Sequence, residues 1–80
     1  MNNPLDFSGK VVLVTGGGKG IGRGITESFL QAGAEVVICG RGEPEELPRS
    51  GDRTALFTPC DVRDYEQIEA SVDFAVAQCG

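Results

Sequence analysis

The chain of 80 residues contains no histidine, and none of its three cysteines forms a Cys-x-x-Cys pair. A zinc site therefore lacks its usual ligands, and we predict no metal site. An odd number of cysteines, without a secretory signal in residues 1–6, indicates a reducing compartment, so we expect a cytoplasmic protein. We expect Cys39 and Cys60 to be small buried apolar residues.

Basic residues are also few. Seven lysines and arginines stand against twelve acidic residues, and the net charge is −5. The basic residues are scattered along the chain rather than grouped in a stripe, which excludes nucleic acid and anionic membrane surfaces as partners. No apolar run reaches the length needed to span a bilayer.

Short apolar runs alternate with amphipathic segments. The pattern predicts strands over residues 10–15, 35–39 and 54–58 and helices that begin near residues 21 and 65. We expect the first helix to bury one apolar stripe and to end at Gly33. The residues of that stripe are Ile21, Ile25, Phe29 and Ala32.

The second helix has its own boundary signals. Asp64 and Gln67 fit a capping box at its start, and Gly80 fits its carboxyl-terminal cap. We expect its buried stripe to be formed by Ile68, Val72 and Val76.

Residues 41–53 are polar and contain two prolines. A crossover between parallel strands usually needs a helix, but only residues 43–47 could form about one turn of it. The order β-α-β-turn-β-α nevertheless predicts an α/β fold of the Rossmann type. Its doubly wound parallel sheet has strand order 3-2-1, with the short third strand near an edge.

A glycine-rich segment, Thr-Gly-Gly-Gly-Lys-Gly-Ile-Gly, occupies residues 15–22 directly after an apolar run. Glycines allow positive φ and a close approach of an anion to the main chain. The helix that follows presents unpaired N–H groups and the positive end of its dipole. This arrangement predicts a pyrophosphate site, and a glycine turn without a ligand is the alternative.

Two common nucleotide motifs do not fit. A P-loop would need glycine where Leu13 stands and a hydroxyl where Gly20 stands. The dinucleotide motif Gly-x-Gly-x-x-Gly would need glycine at Arg23. The spacing that fits is Thr-Gly-x-x-x-Gly-x-Gly, with its glycines at Gly16, Gly20 and Gly22.

This spacing resembles the short-chain dehydrogenase/reductase family over nearly all of the chain. The resemblance implies an oxidoreductase that passes hydride between a nicotinamide cofactor and a small carbonyl or alcohol substrate, in a homodimer or homotetramer. The cofactor-binding residues that it implies in the turn are Gly16, Gly18, Lys19, Gly20, Ile21 and Gly22. The missing crossover helix departs from the family pattern.

The end of the second strand bears on which nicotinamide cofactor binds. An acidic residue there would hydrogen-bond the ribose of NAD, but this position holds Gly40, followed by Arg41. A guanidinium can bind a 2′-phosphate. In the resembling family a basic residue in the glycine-rich turn, here Lys19, and an arginine after the second strand go with NADP(H). We therefore predict NADP(H) rather than NAD(H). The alternative is that both side chains are solvated surface charges.

Asp61 and Val62 follow the third strand. In the resembling family an Asp-Val pair at this place holds adenine, through the carboxylate and through the next backbone amide. The alternative is that Asp61 forms an Asx turn before the second helix.

No catalytic residue is predicted. The family uses a Tyr-x-x-x-Lys pair with Ser and Asn, but the one tyrosine, Tyr65, is followed four residues on by Glu69. We therefore expect residues 1–80 to be the amino-terminal part of a single dinucleotide-binding domain whose first strand is an open edge. A non-catalytic NADP(H) sensor or structural subunit, or a stand-alone binding module, remains the alternative.

Overall fold

The computed structural model describes residues 6–79. The predicted cap Gly80 and most of the amino-terminal segment, residues 1–5, lie outside these residues. The elements in chain order are β1 Val11–Thr15, α1 Gly20–Gln31, β2 Glu35–Gly40, β3 Arg49–Ser50, β4 Arg53–Thr54, β5 Leu56–Pro59 and α2 Tyr65–Cys79.

The main sheet is parallel, with strand order β1-β2-β5. Leu13 pairs with Val37, and Ile38 pairs with Phe57. The predicted α/β fold and strand order are confirmed. Because all three strands run in one direction, their carboxyl ends meet at a single edge of the sheet, beside the start of α1 and the start of α2.

The core is centred on β2, whose side chains from Val36 to Cys39 are buried. Leu30 from α1, Ala34 and Ala55 complete the buried apolar cluster on one face. In the described part of the chain β1 has only β2 as a strand neighbour, so its other edge is open, as predicted. Neither described helix combines the length and the apolar character that crossing a membrane requires.

The predicted buried stripe of α1 is wrong. Ile21 is 85% exposed, and the buried side chains are Thr26 and Leu30. Because α1 lies close against the glycine-rich turn, the helix face that carries Thr26 and Leu30 meets the sheet. The face that carries the two isoleucines does not. Only the end of the predicted stripe is partly covered, where the rings of Phe7 and Phe29 pack edge to face with centroids 5.1 Å apart.

The predicted stripe of α2 is wrong for two of its three residues, and Ile68 is half-buried. Ser71 and Ala75 are buried, whereas Val76 is 60% exposed and Val72 is also exposed. A three-stranded sheet covers one side of the helix, and the small residues lie on that side. The helix has apolar residues on two faces, so periodicity alone could not identify the face that is buried.

The segment between β2 and β5 also differs from the prediction. Residues 43–47 form no helical turn; an antiparallel β3–β4 pair follows them, and β5 begins at Leu56 rather than at residue 54. Proline lacks the N–H that a helix interior needs; Pro44 lies inside the segment and Pro48 directly follows it. The buried Pro48 instead accepts a hydrogen bond at its carbonyl from Ala55 N–H at 2.9 Å.

Gly17 fits a space with no room for a side chain. A Cβ there would lie 2.5 Å from Cγ2 of Ile38 and 2.7 Å from Oγ1 of Thr26. We expect Gly17→Ala to lower the free energy of unfolding by about 1–3 kcal/mol through overpacking. The matched control is Gly24→Ala, where a Cβ meets nothing within 4 Å; it should instead stabilise α1 by about 0.5–1 kcal/mol. Urea unfolding of the intact protein measures both, and equal effects would contradict the prediction.

Candidate dinucleotide site

A groove follows the edge where the three parallel strands end. It consists of two adjoining cavities of about 470 Å³ and about 210 Å³. The two share Gly16, Cys39, Gly40 and Arg41. The larger extends toward residues 60–63, and the smaller toward Gly18 and Lys19. Open α/β sheets bind ligands at this edge, so the groove is the candidate site.

The glycine-rich turn leaves space for a ligand at two of its glycines. Gly16 and Gly20 have φ of 67° and 53°, and a Cβ at either would meet no protein atom within 4 Å. Gly22 is different, because a Cβ there would meet the carbonyl of Gly16. Glycine is thus required at Gly22 for contact between the helix and the turn, and at the other two positions by the backbone conformation.

The amino terminus of α1 has no protein cap. Lys19 is the N-cap residue and makes no side-chain capping hydrogen bond, and the first turn contains no acidic residue. Ile21, in the first turn, is exposed. The first N–H groups of a helix have no partner inside the helix, and the helix dipole favours an anion beside them. The turn and the helix end together fit a pyrophosphate.

Thr26 fixes the turn from below. Its side chain is fully buried. The hydroxyl donates to the carbonyl of Gly22 at 2.9 Å and also lies 3.3 Å from the carbonyl of Gly17. One side chain of α1 therefore holds both the start of the helix and the base of the turn.

Arg23 fixes the turn from the side. Its Nη1 donates to the carbonyl of Glu46 at 2.9 Å and to that of Gly18 at 3.3 Å. Pro44 reaches the same place, since a Cβ on Gly18 would lie 3.1 Å from its Cγ. The loop that replaces the expected crossover helix is thus attached directly to the glycine-rich turn.

Two cations border the smaller cavity. Lys19 and Arg41 both line it and both are exposed, and neither forms an ion pair with another residue in the range 6–79. Gly40, at the end of β2, has no atom within 4 Å of the place a Cβ would take. An acidic side chain at this position would repel a 2′-phosphate. Gly40 has no side chain, and the guanidinium of Arg41 follows it in the chain.

Asp61 and Val62, the residues predicted to hold adenine, line the larger cavity. The Asx turn that was the alternative for Asp61 is also present, because Oδ1 accepts the N–H of Arg63 at 3.0 Å. The Arg63 guanidinium binds the same carboxylate and holds the pKa of Asp61 below its usual range. In turn, the carboxylate raises the pKa of Arg63.

Asp64 caps α2, and its Oδ1 accepts the N–H of Glu66 at 3.0 Å. The predicted capping box is only half formed. Oε1 of Gln67 accepts the N–H of Asp61 at 2.7 Å, because the N–H of Asp64 already donates to the carbonyl of Asp61. The side chain of Gln67 therefore holds the backbone of the candidate adenine residue.

Cys39 and Cys60 are buried beneath the groove, as predicted. Burial, reinforced by the neighbouring Cys60, raises the pKa of Cys39 to about 11, so its thiol stays protonated at neutral pH. Within residues 6–79 no group of three potential metal ligands comes together.

The sequence profile of the short chain dehydrogenase family matches residues 10–80. The chain belongs to this family. It is 41% identical over 80 residues to L-fucose dehydrogenase of Bos taurus, an alignment that covers 92% of this chain and 28% of that protein. The chain thus spans little more than a quarter of the length of this curated relative.

Solved structures of the family agree with the fold. Levodione reductase superposes with a TM-score of 0.79 at 30% identity, over 92% of this chain and 31% of that one. The ligand-free aldohexose dehydrogenase of Thermoplasma acidophilum gives 0.76 at 33% identity, over 94% of this chain and 27% of that one. The Rossmann-type arrangement of the described strands and helices is therefore that of the short-chain dehydrogenase family.

The family motif indicated which residues lie in the groove but not which residues support them. The supporting roles of Thr26 and Arg23 were missed, because they depend on contacts with carbonyls of other segments. Gln67 was predicted in a capping box, but its hydrogen bond with the N–H of Asp61 was not foreseen. Arg63 had a signal in the sequence, since it stands two residues after Asp61, the spacing of an Asx turn. Tyr65 begins α2 and does not line the groove.

The contribution of Thr26 can be measured with two substitutions. Thr26→Val keeps the shape but removes the hydroxyl that is shared between the carbonyls of Gly22 and Gly17, so we expect a loss of about 1–3 kcal/mol in the free energy of unfolding. Thr26→Ser keeps the hydroxyl and should lose only about 1 kcal/mol for the missing methyl. Chemical denaturation of both variants is the measurement, and a serine variant as unstable as the valine variant would argue against the hydroxyl.

Proposed function

We propose that this chain forms the amino-terminal, NADP(H)-binding part of a single dinucleotide-binding domain in a short-chain dehydrogenase/reductase. The observation that carries the proposal is the uncapped start of α1 beside Gly16 and Gly20, where a Cβ would meet no protein atom within 4 Å, at the edge where the parallel strands end. Gly16, Gly18 and Gly20 with the helix N–H groups would hold the pyrophosphate.

The preference for NADP(H) rests on charge at the end of β2. Gly40 offers no carboxylate, and Arg41 and Lys19 border the same cavity. A charge-assisted hydrogen bond to a 2′-phosphate is worth about 1.5–3 kcal/mol, which corresponds to about ten- to a hundredfold in affinity. That is enough to select one cofactor over the other.

At the other end of the groove, Asp61 would accept the exocyclic amine of adenine and the N–H of Val62 would donate to a ring nitrogen. Both residues line the larger cavity. No residue in the described range accepts a hydrogen bond from the N–H of Val62, so this donor is available.

When bound, the nicotinamide supplies or accepts a hydride, and the protein orients it against the substrate. The relatives are named for L-fucose, levodione and aldohexose. We propose a small carbonyl or alcohol substrate for this protein also, and assign no catalytic residue within residues 1–80.

The compartment and the assembly belong to the same proposal. The cysteines Cys39, Cys60 and Cys79 are free thiols, which suits the reducing cytoplasm. The exposed isoleucines of α1 and valines of α2 leave apolar surface for further contacts, and a homodimer or homotetramer is the assembly we propose.

The pyrophosphate site can be tested by filling its space. We expect Gly20→Val to abolish NADP(H) binding to the intact protein, because the side chain would occupy the space left for the anion. Gly51→Val is the control. Gly51 has a similarly positive φ of 62°, with equally open surroundings, but lies between β3 and β4, away from the groove. Calorimetric titration that finds unchanged affinity in Gly20→Val, or an equal loss in Gly51→Val, would contradict the assignment.

Arg41 tests the cofactor preference. Arg41→Asp should weaken NADP(H) binding by about ten- to a hundredfold and shift the preference toward NAD(H), because a carboxylate repels the 2′-phosphate. Arg49→Asp makes the same change of charge at an exposed residue outside the groove and should leave the preference unchanged. Dissociation constants for both cofactors decide the question, and an unaltered ratio in Arg41→Asp would refute the role of Arg41.

A further inference from the structure

Arg63 holds the Asp61 carboxylate with three hydrogen bonds. Its main-chain N–H and its Nε both donate to Oδ1 at 3.0 Å, and its Nη2 donates to Oδ2 at 2.9 Å. The two guanidinium contacts form a fork, which fixes the plane of the carboxylate as well as its position. Both residues line the larger cavity of the groove.

This arrangement leaves part of the carboxylate free. An ionised carboxylate has about four acceptor places, two on each oxygen. Arg63 fills both places on Oδ1 and one on Oδ2. Within the described residues no other group donates to Oδ2, so one acceptor place remains on it. The backbone of Asp61 is fixed separately through Gln67.

We propose that Arg63 is a positioning residue for base recognition, which orients Asp61 so that the free acceptor place of Oδ2 meets the exocyclic amine of adenine. The inference rests on the proposed dinucleotide site, and it adds the pair of residues that would select adenine over other bases. A base with a carbonyl oxygen in place of that amine would bring two acceptors together and would be rejected.

The same contact contributes little to folding. The Arg63 side chain is 75% exposed, and exposed ion pairs add little stability. Removing the guanidinium should therefore change which base is selected while leaving the unfolding transition where it is. A merely structural role would produce the opposite pattern.

The experiment compares NADP⁺ with its hypoxanthine analogue, in which oxygen replaces the adenine amine. Calorimetry on the intact protein should find NADP⁺ bound about tenfold or more tightly than the analogue. Arg63→Gln should reduce this ratio at least threefold, and Arg63→Lys, which keeps the charge but not the fork, should restore only part of it. Arg49→Gln, outside the groove, should leave the ratio unchanged.

Asp61→Ala separates the two levels of the proposal. If both Asp61→Ala and Arg63→Gln lose the preference for NADP⁺ over its hypoxanthine analogue, the adenine site and the role of Arg63 are both supported. Loss in Asp61→Ala with an unchanged ratio in Arg63→Gln overturns the role of Arg63 and keeps the adenine site. An unchanged ratio in Asp61→Ala overturns the adenine site and with it the inference.

A pH titration gives an independent readout. The preference for adenine requires an ionised Asp61, and the hydrogen bonds from Arg63, with a smaller contribution from the charge of Arg41, hold the pKa of that carboxyl below its usual range. The preference should therefore be lost at a higher pH in Arg63→Gln than in the parent protein, as pH falls. Identical pH profiles would overturn the positioning role.

Discussion

The contact between α1 and the carboxyl end of β1 is the constraint on which the site depends. Gly22 has no room for a side chain because its α-carbon faces the carbonyl of Gly16. Only at this separation do the N–H groups at the start of the helix border the groove. The buried hydroxyl of Thr26 holds the same separation from the next turn of the helix, so the packing and the proposed anion site have a common geometric origin.

Residues 41–48, between β2 and β3, take the place of the expected crossover helix. A helix would cover the sheet with several apolar side chains, whereas residues 43–47 pack Leu47 against the core and reach the glycine-rich turn through one backbone carbonyl and one proline ring. Arg23 joins the carbonyls of Glu46 and Gly18, and Pro44 packs on Gly18. The covering of the sheet and the support of the turn are therefore coupled, and a change in this loop will alter the shape of the smaller cavity.

The sequence predicted the order of the strands, and it indicated a ligand site at the edge where the candidate groove lies. Both follow from simple signals: short apolar runs, a glycine spacing, and the rule that parallel strands end together. It did not predict which helix face is buried. Ile21 and Thr26 compete for the sheet, and the outcome depends on how closely Gly22 lets the helix approach. The hydrogen bond of Arg23 with Glu46 was equally hidden, since it joins segments that become neighbours only after folding. The bond of Gln67 is local, but it goes to Asp61 rather than to the N–H of Asp64 that a capping box requires.

An acidic chain that binds a polyanion must concentrate its positive charge. The net charge is −5, so the long-range field of these residues repels a dinucleotide phosphate. Attraction has to come from groups within about a Debye length, roughly 8–10 Å, of the ligand. Lys19, Arg41 and the start of α1 are such groups, all at the groove. Arg63 is not available to bind phosphate in this way, because its charge is already paired with Asp61. In the proposed site the cations would therefore act in two ways: Lys19 and Arg41, which form no ion pair in the described range, would provide affinity for phosphate, and Arg63, which is paired with Asp61, would provide orientation of the base.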